Sequence, residues 1–280
     1  MGCTLQSILR GNIIYFMEKT ERELAFVREL FVDESWTFRF TELVDKHIDL
    51  KRSENLLYIN AGNGNHAIAL NEKYGEKTDI FAFCETESLL TIAKEKGAAI
   101  SSRVDFSRIQ FEDDAFDSVL SDATFVPFAD IADAIADAVR VAKVGGDVGI
   151  FMPTAGSFGE VFSLLWEALH NADLVEHGSR VEELIAELPS VSHIEELAKS
   201  LDLANVKTET AIEIFEYDNG KEFVESPLVA DFLIPHWLEM LNENEIERVT
   251  KELAQLIDAE EAPITFRFSA KATLLTGEKG

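Results

Sequence analysis

The chain has 280 residues, 46% of them hydrophobic, with 52 Asp and Glu against 25 Lys and Arg, a formal net charge of −27. That is enough apolar material for one large core, and a field of that sign repels phosphate backbones and anionic bilayers, which excludes nucleic-acid and membrane-surface partners and leaves solubility, a cationic substrate or a basic protein partner as uses for the acidity. Cys3 and Cys84 stand far apart and the six histidines are scattered, so no disulfide framework and no metal are expected.

The chain opens Met1-Gly2-Cys3, but Gln6 stands where N-terminal acylation wants Ser or Thr, and Arg10 interrupts any secretory apolar core. No apolar run approaches the ~20 residues of a membrane-spanning helix. A cytoplasmic location is expected. Residues 11–50 carry apolar positions at helical spacing, first Leu24, Val27, Leu30 and Phe31, then Phe40, Leu43, Val44 and Ile48.

A change of period follows. Leu56-Leu57-Tyr58-Ile59 reads as a buried strand, Asn60-Ala61-Gly62-Asn63-Gly64-Asn65 as a tight turn, and Ala67 to Leu70 as the start of a helix. The unit repeats: a strand over 79–84, a helix over 87–96, a strand over 117–120, a helix over 131–143 stopped by Gly145-Gly146, and a strand over 148–152. Strands alternating with helices imply parallel crossovers and a doubly covered, Rossmann-like α/β sheet. Beyond Pro153 three helices are expected over 161–170, 181–188 and 194–203, then a strand over 210–217, a helical stretch over 223–257 and a last strand over 264–275. The helical pieces look like a lid inserted into one domain.

In an open parallel sheet, ligands bind beyond the carboxyl ends of the strands, where a glycine turn admits close approach and a helix N-terminus supplies positive potential. Residues 60–66 occupy that place. A Gly-x-Gly turn alone is a weak signal, but it is followed in order by Val104-Asp105-Phe106, by Ile109-Gln110-Phe111-Glu112-Asp113-Asp114-Ala115-Phe116-Asp117-Ser118-Val119, and by Arg140-Val141-Ala142-Lys143-Val144-Gly145-Gly146. Over residues 52–154 this series resembles the class I S-adenosylmethionine-dependent methyltransferases, especially the small-molecule group related to ubiquinone and biotin methyltransferases. The resemblance implies a sheet with an antiparallel last strand, S-adenosylmethionine as cofactor, a small-molecule acceptor, a helical N-terminal region over 1–50, and a main domain over 51–280 with helical cap inserts at about 157–192 and 221–258.

It also implies site residues. Asn60, Ala61, Gly62, Asn63 and Gly64 match the first motif, Asp105 and Phe106 the adenine-binding position, and Cys84 or Glu85 the acceptor of the ribose hydroxyls. Ser121 lies at the mouth of the fourth strand, and Asp122 beside it is the best candidate for substrate contact. The sequence departs from the family pattern at three points. Tyr58 replaces the acidic residue of the first strand, and Asn60 replaces the first glycine, although asparagine is the non-glycine residue that best tolerates a left-handed backbone. Ungapped alignment puts Cys84 at the end of the second strand, so Glu85 would serve only through a bulge. Each residue also has a plainer role: Cys84 as a small buried strand residue, Tyr58 as filler under the turn, His66 as a capping or solvent-facing residue, and Asp122 as a helix cap.

Three functions compete. The first is a methyltransferase, whose chemistry needs mainly in-line positioning and so no firm catalytic residue. The second is a catalytically silent methyltransferase-like module that binds a protein partner or another ligand, and it draws on Tyr58, Asn60 and Cys84 together. A nicotinamide-dependent oxidoreductase shares the turn, but the stretch 140–146 and the Phe116-Asp117 strand start argue against it.

Overall fold

The computed structural model describes residues 19–50, 53–259 and 265–280; Met1-Gly2-Cys3, with the acylation and secretion readings attached to it, lies outside the described residues. Short apolar runs bounded by turns pair into one seven-stranded sheet: β1 (Asn55–Ile59), β2 (Asp79–Phe83), β3 (Asp105–Ser107), β4 (Phe116–Asp122), β5 (Ala142–Thr154), β6 (Leu203–Tyr217) and β7 (Phe266–Lys279), in the spatial order β3-β2-β1-β4-β5-β7-β6. β1 to β5 are mutually parallel, and β7 runs antiparallel to both β5 and β6. The strand order reverses at β1, with β2 on one side and β4 on the other, and the glycine turn leaves the sheet there.

Both faces are covered, as near-continuous apolar strands require. Alternation along β1 sends Leu56 and Tyr58 into one core and Leu57 into the other. The first core takes α3 (Asn65–Tyr74) and α4 (Glu87–Ala99). The second takes α5 (Ile131–Val141) and, after α6 (Gly159–Asn171) and α7 (Ser179–Glu187), α8 (Val191–Ser200). The expected helix over 131–143 stops at Val141, because the chain already pairs with β4 from Ala142 and turns through Gly145 at φ +76°. The helical stretch expected over 223–257 is broken into α9 (Gly220–Glu225), a π-helical turn over Val229–Leu233, α10 (Ile234–Trp237) and α11 (Glu243–Ala259). No helix among the described residues is long and apolar enough to cross a membrane.

The amino-terminal region corrects the sequence reading in one respect. α1 (Glu21–Val27) begins with a complete capping box between Thr20 and Glu23, then widens into a π-helix over Arg28–Thr37 before α2 (Phe38–His47). Phe38 N–H reaches back to Asp33 O, five residues away, and the buried face of the segment runs through Ala25, Arg28, Val32 and Trp36. Leu30 and Phe31, expected on the buried face, are 64% and 54% exposed. The buried stripe keeps helical spacing but is offset by one residue from the expected Leu24 and Val27, because it contains an arginine that a search for apolar positions passes over.

Candidate cofactor site

The turn after β1 is built on three left-handed residues, Asn60 at φ +56°, Gly62 at +58° and Gly64 at +82°. Asn60 holds the backbone expected of the missing glycine, and its Nδ2 donates to Asp122 O at 3.1 Å, which ties the turn to the end of β4. Ala61 N–H donates to Phe83 O at 2.8 Å, tying it to the end of β2. Asn63 accepts from Asn65 N–H at 3.1 Å at the entrance to α3. Backbone amides and a helix N-terminus thus face the space above the sheet at its switch point.

Glu85, not Cys84, directs its side chain at this turn, and Glu85 Oε2 accepts Gly62 N–H at 3.0 Å. No bulge is needed, because β2 ends at Phe83 and the strand's alternation no longer governs the next residues. Cys84 is fully buried in the core, where burial pushes its thiol up to about 12. Tyr58, the residue in the acidic position, is buried beneath the turn and does not enter the cavity; its OH is 3.0 Å from His66 Nδ1, with the two rings edge to face. His66 is neither a cap nor solvent-facing: burial, partly opposed by Asp45, pulls its pKa to about 4.

Sequence reasoning missed the side chain at the centre of the site, Arg28. It is 6% exposed, and its Nη1 donates to Glu85 Oε1 at 2.7 Å. Nη2 lies 3.6 Å from Asp122 Oδ2, and the guanidinium carbon stands 5.1 Å above the Phe125 ring. A Cβ added at Gly62 would come within 2.8 Å of Arg28 Nη2, so the close approach that the glycine permits is taken by this arginine. Burial alone would lower the Arg28 pKa, but Glu85 and Asp122 more than offset it and raise the value. Burial pushes Asp122 up to about 6 against the pull of Arg28 and of Thr124, whose N–H and hydroxyl donate to Asp122 Oδ1 at 2.8 and 2.6 Å. The only trace of Arg28 in the sequence is a charged residue within the 25, 28, 32, 36 stripe.

These groups line a cavity of about 260 Å³ whose walls include Leu24, Arg28, Asn60, Glu85, Asp122 and Phe125. The structure therefore brings Asn60, Glu85 and Asp122 together on one wall, with Gly62 against Arg28. It leaves other expected residues outside. Phe106 packs under the turn, where a Cβ on Gly64 would lie 2.7 Å from its ring. Ser121 is fully buried within β4 and its hydroxyl has no partner among the described residues. Asp105 is exposed on the edge strand β3, opposite Phe81. Ala61, Asn63 and Gly64 shape the turn from within and are not on the wall. A second cleft of about 230 Å³ lies at the opposite ends of β1 and β4, between His47 and Lys207, away from the carboxyl ends where parallel sheets bind ligands.

The cavity is lidded. Glu21 caps Ser88 N–H at 3.1 Å, Glu29 pairs with Lys96 at 2.7 Å, and Asp33 accepts from Asn65 Nδ2 at 2.6 Å, which strap α1 and the π-helix across the mouth. Lys19 pairs with Asp231 in the second π-helical turn, whose Phe232 completes the wall.

Does this site suit an adenosyl group? The carboxylate at the end of β2 does, since Glu85 on the cavity wall can accept hydroxyl groups. The volume does not while Arg28 stays in place, since ligand pockets usually exceed ~300 Å³. Withdrawal of the guanidinium would free an oxygen of Glu85.

A sheet of order 3-2-1-4-5-7-6 with its last strand antiparallel, and a glycine turn at the first crossover, is the fold of the class I S-adenosylmethionine-dependent methyltransferases. Residues 57–150 match the family model described as a methyltransferase domain. Among solved structures, the YcgJ protein of Bacillus subtilis is 15% identical with a TM-score of 0.55, over 86% of this chain and 98% of that one. A putative methyltransferase of Bacillus halodurans is 16% identical with the same TM-score and coverage. The phosphoethanolamine N-methyltransferase 2 of Haemonchus contortus, solved with S-adenosyl-L-methionine, is 16% identical with a TM-score of 0.52, over 91% of this chain and 57% of that one. No curated protein sequence matches the chain.

Proposed function

We propose that this protein transfers a methyl group from S-adenosylmethionine to a small-molecule acceptor held under the helices of residues 157–192 and 221–258. The observation that carries the reading is the hydrogen bond from Gly62 N–H to Glu85 at 3.0 Å, which sets a carboxylate against a left-handed glycine turn at the sheet's switch point. The cofactor supplies an electrophilic methyl group. Glu85 takes the ribose hydroxyls, Asn60 lines the nucleoside side, and Asp122 holds the end of β4 against the turn. Arg28 leaves Glu85 as the nucleoside enters. The packed aromatic wall over β4 excludes water and fixes the acceptor in line. The unpaired, buried Cys84 thiol suits a reducing, cytoplasmic setting.

Calorimetric titration with S-adenosylmethionine, S-adenosylhomocysteine and NADH tests the reading. Micromolar affinity for the first two and none for NADH is expected; no binding at millimolar concentration overturns it. A second reading, a silent module whose pocket is permanently closed, draws support from one observation, the Arg28 guanidinium between Glu85 and Asp122. The same titration separates the two.

A further inference from the structure

Single apolar side chains on a surface need no explanation, but a cluster of large ones marks a place of contact. Of the twelve large hydrophobic side chains exposed among the described residues, four fall in one stretch: Phe26, Leu30, Phe31 and Phe38, at 45%, 64%, 54% and 58%. They lie on the outer side of α1, the π-helix over Arg28–Thr37 and the start of α2. The inner side of the same segment, Arg28, Val32 and Trp36, is buried. Burial of that inner side accounts for the segment's place in the fold, so an apolar outer side needs a different reason.

Phe26, Leu30, Glu34 and Phe38 follow one another at four-residue intervals, all exposed, with Phe31 beside the row. Glu34 is thus a carboxylate set in the middle of an apolar stripe, and it has no partner among the described residues. Its charged neighbours are engaged. Arg22 lies over the Phe26 ring at 5.7 Å, Glu23 closes the capping box with Thr20, and Glu42 pairs with Lys46 at 3.4 Å. A purely apolar cover would strip water from Glu34 and offer no counter-charge. The complement of this stripe is an apolar helix face with one cation at its centre.

A second copy of the chain does not supply that cation. Antiparallel self-pairing about the middle of the stripe lays each Glu34 on the other copy's Leu30, and parallel pairing lays Glu34 on Glu34, in chains that each carry −27. The same charge repels an anionic bilayer.

We propose that the outer stripe docks an amphipathic helix of a basic partner protein, with a Lys or Arg at the middle of that helix's apolar face paired to Glu34 and apolar side chains on either side of it covering Phe26, Leu30, Phe31 and Phe38. The proposal stands apart from methyl transfer, since none of these side chains lines the cofactor cavity.

The test uses the whole protein and two labelled helical peptides of about 15 residues. Both are built from Ala and Gln with Leu along one face, and the middle of that face carries Lys in one and Glu in the other. By fluorescence anisotropy, the Lys peptide is expected to bind about tenfold more tightly than the Glu peptide. Glu34→Lys should reverse that order, although it moves the net charge only from −27 to −25. Glu247→Lys, the same change of charge at an exposed position on α11, should leave the order as it is. Leu30→Asp should weaken the Lys peptide about tenfold with the melting temperature unchanged, as its exposure allows. Equal affinity for the two peptides, no binding of either, or an order that Glu34→Lys does not move overturns the proposal. So does a wild-type dimer in sedimentation that Leu30→Asp dissolves, because a second copy then occupies the stripe. Binding to neutral phosphatidylcholine vesicles that Leu30→Asp abolishes overturns it as well, in favour of lipid.

Discussion

Replacing Glu85 with glutamine probes the account where it is most exposed to error. Glu85 Oε2 accepts Gly62 N–H at 3.0 Å and Oε1 accepts Arg28 Nη1 at 2.7 Å. The glutamine amide oxygen can keep the first bond, so the turn survives, but its NH2 group cannot accept a ribose hydroxyl. A hydrogen bond to a charged group contributes roughly 1.5–3 kcal/mol, so S-adenosylhomocysteine should bind about tenfold to a hundredfold more weakly. The cost to the fold is smaller than for a fully buried pair. Glu85's side chain is 26% exposed and Asp122 remains 3.6 Å from the guanidinium, so a loss of about 1 kcal/mol is expected rather than the ~3–5 of a buried charge left alone. Calorimetry reads the affinity and thermal unfolding reads the fold. Glu87→Gln, on a side chain 72% exposed, serves as the neutral control. An unchanged affinity in Glu85→Gln refutes the assignment of Glu85 as ribose acceptor.

Arg28→Met removes the contact that a nucleoside must break, so S-adenosylhomocysteine affinity should rise several-fold while the melting temperature falls, because Asp122 loses its cationic neighbour; a tenfold loss of affinity by calorimetry would instead make Arg28 a ligand contact. Gly64→Ala combines φ +82° with a Cβ 2.7 Å from Phe106 and should cost more than about 2 kcal/mol in urea unfolding, whereas Asn60→Gly, at φ +56°, should cost less than about 1. Stability against pH carries two opposed signatures. The Asp122 carboxyl, raised by burial to about 6 in the fold from the ordinary 3.8, leaves the native state holding more protons in that window, so its contribution falls as pH rises from about 4 to 6. His66, lowered by burial to about 4 from 6.5, leaves the unfolded state holding more protons, so its contribution grows as pH rises from about 4 to 6.5. The native protein should show a nearly flat profile across this range, His66→Gln a falling one and Asp122→Asn a rising one; equal slopes in all three would contradict both assignments.

The parts of this fold that are legible in sequence are the local ones. The strand of Leu56 to Ile59, the turn with its two glycines and the succession of βα units follow from period and turn chemistry within a few residues of each other, and the structure places them accordingly. Asn60's left-handed backbone was readable for the same reason, since it depends on one residue's tolerance. Contacts between distant segments were not readable. Arg28 meets Glu85 across 57 positions, and a search for apolar positions at helical spacing passes over a buried arginine. Ungapped alignment put Cys84 at the ribose position, and Glu85 was expected to need a bulge because strand alternation was carried beyond the end of β2 at Phe83. Tyr58, read as filler under the turn, is buried there, but the 3.0 Å contact of its hydroxyl with His66 Nδ1 follows from no spacing rule.

The most direct measurement is a crystal structure of the protein with S-adenosylhomocysteine. The account predicts the ribose on Glu85, the nucleoside against Gly62, and the Arg28 guanidinium withdrawn from the 2.7 Å contact it makes with Glu85 in the free protein. A complex in which that contact persists and the ligand sits elsewhere would contradict it.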